Sequence, residues 1–113
     1  MKLPRVRLYH WKAEEAGPLI AKLRAAGYEV IHKPEARTSM RELKESGVAA
    51  VAIDLSRMPS HGKYVGAWLR GSKSTRHIPL VFVGGEAEKV AAIKKQMPDA
   101  AYASVAGIAG AVK

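Results

Sequence analysis

The side chain best placed to do chemistry is Asp54. It closes VAAVAI, an unbroken apolar run over 48–53, and no other acid stands between Glu45 and Glu86. A carboxylate at the end of a buried strand can accept a transferred group or serve as one ligand of a cation. The plainer alternative is a structural carboxylate, hydrogen-bonded to loop amides or paired with a nearby lysine. The four histidines, His10, His32, His61 and His77, show no zinc-type spacing. His10 and Asp54, with His61 reaching over, would form at most a fortuitous divalent-metal site; ordinary strand-end and loop histidines are the simpler reading. Gly84-Gly85 ahead of a helix offers amides to an anion, or is a plain strand–helix turn. Arg70, Lys73 and Arg76 form the densest basic cluster, which either contacts phosphates or is a solvated loop. No acid pair, triad or metal cluster accompanies these residues, so a catalytic enzyme is not expected.

The elements that must position them alternate between strand and helix. A first strand is expected over 6–10 (VRLYH). A helix follows over 13–26, with Leu19, Ile20 and Leu23 on one buried face. Gly17-Pro18 either starts that helix late or kinks it, and Gly27 ends it. A second strand is expected over 28–32, and a loop over 33–38. The capping-box spacing of Ser39 and Glu42 predicts a short helix over 40–45. Gly47 stops it, and the run over 48–53, with Val48, Val51 and Ile53 β-branched, reads as a strand buried on both faces. Met58-Pro59 turns the chain into a helix over 61–70 whose inner face is Val65, Trp68 and Leu69. A polar, basic connection over 71–77 leads to another apolar strand over 78–83. The helix over 86–97 carries Glu86 and Glu88 at its start and Lys94 and Lys95 at its end, as a helix dipole favours. Its inner or flanking residues are Val90, Ala91, Ala92 and Ile93. A weak strand over 101–104 and a final helix of two turns at most, over 106–112, complete the chain.

Five strand–helix units require right-handed crossovers and a parallel sheet covered on both faces. The expected fold class is α/β: a single three-layer flavodoxin-like domain over 1–113, with five parallel strands in the order 2-1-3-4-5 and a short last helix. Its switch point lies between strands one and three, so the strand ends His10-Trp11 and Asp54 should face each other.

The totals agree with that class. A chain of 113 residues, 48% hydrophobic and with mean hydropathy near zero, suits one folded domain. No apolar run reaches the ~20 residues of a membrane span, and no secretory signal is read at the start. The absence of cysteine excludes disulfide and thiol chemistry and fits a cytoplasmic location. The formal net charge of +9 favours polyanions, although the 19 basic residues are scattered along the chain.

At this point the chain resembles the response-regulator receiver domains, the CheY-like group, over nearly its whole length. The residues that carry the likeness are the apolar strand ending in Asp54, Met58-Pro59, Gly62, Pro79, and Asp99-Ala100-Ala101-Tyr102 before strand five. The resemblance implies Asp54 as the acceptor of a phosphoryl group from a histidine kinase. It also implies two acids for Mg²⁺ at the end of strand one, where His10 and Trp11 stand. A Thr or Ser is implied at Gly84. A Lys is implied at Val105, with Ser104 the nearest polar residue. Only Asp54 matches that pocket. Phosphoryl transfer needs metal and cationic stabilisation of the equatorial oxygens, and only Lys12 or Lys63 stands nearby as a cation.

The expectation is therefore a degenerate receiver, or pseudo-receiver, of bacterial two-component type. It would not be phosphorylated, would need no cofactor and would act by binding a protein partner. The face of the fourth helix, fifth strand and fifth helix would serve a partner or a second copy. Two alternatives stand beside it: an atypical phosphoacceptor using Asp54 with Mg²⁺, and a basic nucleic-acid-binding module.

Overall fold

The computed structural model describes residues 4–10, 13–32, 47–56, 59–73, 75–104 and 107–111. The expected 33–38 loop and 40–45 helix, and Trp11, Lys12, Met58 and Val105, lie outside them. The elements are β1 (Arg5–Tyr9), α1 (Ala13–Ala25), β2 (Glu29–His32), β3 (Ala50–Asp54), α2 (Pro59–Arg70), β4 (Leu80–Val83), α3 (Ala87–Gln96), β5 (Ala101–Ala103) and α4 (Ile108–Ala111). The five strands form one parallel sheet in the order β2-β1-β3-β4-β5. This is the α/β, flavodoxin-like arrangement, and its last helix has four residues.

Alternation along each strand feeds two cores. Val6, Leu8, Ala50, Ala52, Val81 and Val83 face α1 and α4, where Leu19, Leu23 and Ile108 meet them. Tyr9, Val51, Ile53, Leu80 and Phe82 face the other way, onto Leu69 of α2 and Ile93 of α3. Both faces of the central strands are therefore dry, as a parallel sheet requires.

Several boundaries differ from expectation. α1 runs unbroken through Pro18, which lies on its exposed side; packing of Ala16, Leu19 and Leu23 outweighs the ~3 kcal/mol that an interior proline costs. α1 closes on Gly27 at φ 94°, with Tyr28 N–H donating to Leu23 O and Gly27 N–H to Arg24 O, a Schellman arrangement. α2 begins at Pro59, not at residue 61, because proline is preorganised for a first helical turn. On α3 only Ile93 is buried. Val90 is half-buried, while Ala91 and Ala92 are exposed, so its apolar face is narrower than expected.

Glycines set how closely α2 approaches the sheet. A Cβ at Gly66 would lie 2.7 Å from the Phe82 ring, and one at Gly62 would lie 2.7 Å from Leu55 and 3.3 Å from the Asp54 carbonyl. Small residues at these points draw α2 onto β3 and β4.

Candidate functional site

Strand register assembles the site. Tyr9 pairs with Ile53, so the next residues, His10 and Asp54, emerge side by side at the C-terminal edge. Asp54 pairs with Val83 and Val83 with Ala103, which brings Gly84 and Ser104 to the same edge. The ladder continues past the strands, through Leu55 N–H to Val83 O and Gly84 N–H to Ala103 O, both 2.9 Å.

Asp54 is 1% exposed and His10 5%. His10 Nε2 lies 3.7 Å from Asp54 Oδ2, within ion-pair range but too long for a hydrogen bond. The same Oδ2 accepts Ser56 N–H at 3.1 Å, an Asx-type turn that ties the carboxylate to its own loop.

Gly84 has φ 68° and Gly85 φ 92°, a region that side-chain-bearing residues rarely occupy. A Cβ on Gly84 would fall 2.7 Å from Ser56 Oγ and 3.9 Å from Asp54 Oδ1. Ser56 thus occupies the space into which a side chain at 84 would project. Ser104 Oγ accepts the Gly107 N–H at 3.2 Å and caps the approach to α4.

The donor set does not fit Mg²⁺. That ion takes several carboxylate and water oxygens, whereas among the described residues the edge presents one buried carboxylate, tied to an amide, with an imidazole beside it. Among the described residues no three His, Cys, Asp or Glu side chains come together as metal ligands. His77 is exposed after α2, at the other end of the sheet.

The basic cluster divides. Arg70 Nη1 donates to Arg76 O and Ile78 O at 2.6 and 3.2 Å, and Nη2 pairs with Asp99 at 3.5 Å. It fastens the end of α2 to the entry of β4 and to the turn before β5. Lys73 and Arg76 remain exposed.

Two participants were not singled out in the sequence, and a third, Tyr102, stood there only as part of the run before strand five. Ser56 is one. Arg7, 1% exposed in β1, lies 4.1 Å over the Tyr9 ring and donates through Nη1 to Leu8 O and Ile31 O. Its signal was a charge inside a strand expected to be covered on both faces. Tyr102 stacks on Phe82 with centroids 5.4 Å apart and donates its hydroxyl to Met97 O at 2.8 Å. Burial, then the Asp99 charge, push its phenol above 10.0, with Arg70 opposing.

No family model and no curated protein matches this chain. Solved structures do. A sensor protein from Polaromonas sp. JS666 is similar at TM-score 0.78 and 18% identity, over 96% of this chain and 92% of that one. A bacteriophytochrome response regulator gives 0.69 and 18%, over 92% and 83%. The N-terminal domain of a response regulator receiver protein from Methanoculleus marisnigri JR1 gives 0.64 and 15%, over 91% and 83%. The chain thus has the CheY-like receiver fold.

Proposed function

We propose that this chain is a receiver-type signalling module that works by binding a partner protein, without phosphoryl transfer. The observation that carries this reading is the state of the Asp54 carboxylate: buried, tied to the Ser56 amide, and with the His10 imidazole 3.7 Å from the same oxygen. Transfer to an aspartate needs an approachable oxygen, a metal and donors for the developing charge. Here an imidazole stands where the metal-binding acids would be, and Gly84 contributes no hydroxyl. The receiver fold of the similar structures supports a two-component setting.

Partner binding is assigned to α3, β5 and α4. β5 is a three-residue edge strand of half-buried residues, and α4 beside it packs Ile108 into the core. A second copy is the first partner to test, by light scattering over rising concentration; a monomer throughout would remove the homodimer.

The test of the main reading is intact-mass measurement after incubation with Mg²⁺ and a small-molecule acyl phosphate. No adduct is expected. A Mg²⁺-dependent adduct that Asp54→Asn abolishes would overturn the reading and make Asp54 an atypical phosphoacceptor.

A further inference from the structure

We infer that the end of the molecule opposite Asp54 is a docking surface for the phosphate backbone of nucleic acid. Because all five strands are parallel, their starts lie at one end, together with the last turns of the helices that return to them. Lys22 and Arg24 close α1, Lys94 and Lys95 close α3, and Lys73 and Arg76 lie in the connection from α2 to β4. All six are exposed. Among the described residues the acids at this end are Glu29 and Asp99, and each is already held by an arginine, Arg5 at 3.3 Å and Arg70 at 3.5 Å. The remaining described acids, including Glu86, Glu88 and Asp54, lie at the other end.

Helix dipoles favour lysines in last turns, but that does not account for Lys73 and Arg76, which lie in a connection. The six bases span both helical layers, on a molecule measuring 40 × 31 × 26 Å. The chemistry favours phosphates over an acidic protein. Protein interfaces are anchored by buried aromatic or apolar side chains, and the one large exposed hydrophobic among the described residues, Tyr64, sits in the middle of α2. Phosphate contacts need only placed cations.

The test is fluorescence anisotropy of a labelled duplex of about two helical turns, titrated with the full chain across a salt series. With six phosphate contacts, affinity should fall about a thousand-fold between ~50 and ~200 mM salt. Lys73→Gln with Arg76→Gln should weaken binding and lower the log–log salt slope by about two. Lys63→Gln with Lys89→Gln removes equal charge near the Asp54 end and should leave both almost unchanged. Equal weakening by both pairs would mean that net charge alone acts, and would overturn the assignment of a surface. Absence of salt-sensitive binding, or equal binding to polyglutamate, would overturn the choice of nucleic acid. Circular dichroism confirms that the variants fold. None of these outcomes bears on whether Asp54 is phosphorylated.

Discussion

Replacing His10 with alanine removes the imidazole beside a carboxylate that is 1% exposed. Loss of stability of about 1–3 kcal/mol is expected in denaturant unfolding, because a buried carboxylate loses its polar neighbour and a cavity opens beside it. Asp54→Ala should cost a similar amount, and the double variant less than the sum; additivity within about 0.5 kcal/mol would show that the two groups do not interact. Gly84→Thr, which restores a hydroxyl, should destabilise the fold, since φ is 68° and Ser56 Oγ occupies the Cβ space. Adding Ser56→Gly should recover part of that loss and leave the backbone strain. Tyr102 gives a pH signature. Its folded pKa is raised above 10.0, so the folded state holds the proton more tightly than the unfolded chain. The contribution is complete below pH 10 and is lost as pH rises through the folded value. Tyr102→Phe should flatten that loss in alkaline unfolding curves; unchanged curves would contradict it. At this scale the sequence reveals residue types but not who fills a gap. Gly84 reads as a missing hydroxyl, and only the loop geometry shows that Ser56 occupies the space.

The elements show why some of the fold was legible and some was not. Residues 50–53 of the VAAVAI run are readable because a strand dry on both faces tolerates no alternation, whereas Val48 and the exposed Ala49 lie ahead of the strand; Gly27 is readable because a left-handed cap needs glycine. Arg7 is hidden in the strand's own pattern, because RVRLY alternates and alternation suggests a wet face; only the sheet expected to be covered on both sides marks the charge as buried. Pro18 misleads because tertiary packing of α1 overrides a local penalty. Arg70 sits in a basic stretch, and nothing local announces that its guanidinium reaches two carbonyls and Asp99. The close approach of α2 to the sheet is testable at Gly66. Gly66→Val places atoms within 2.7 Å of a Phe82 ring already stacked on Tyr102. Overpacking of about 1–3 kcal/mol is expected. For a domain of 113 residues that lowers Tm by roughly 4 °C per kcal/mol, and an unchanged Tm would mean the helix shifts freely.

Across the whole molecule the two ends of one parallel sheet carry different chemistry. The C-terminal edge holds a buried acid beside an imidazole, and the strand-entry edge holds exposed bases. No helix among the described residues is long and apolar enough to cross a membrane. The central claim is that the receiver fold here carries an aspartate that takes no phosphoryl group. Its most direct test is a titration with Mg²⁺ and beryllofluoride, a phosphoryl mimic, followed by tryptophan fluorescence in the wild type and Asp54→Asn. The account predicts no saturable change in either protein while both remain folded. A saturable, Mg²⁺-dependent change in the wild type that disappears in Asp54→Asn would contradict it.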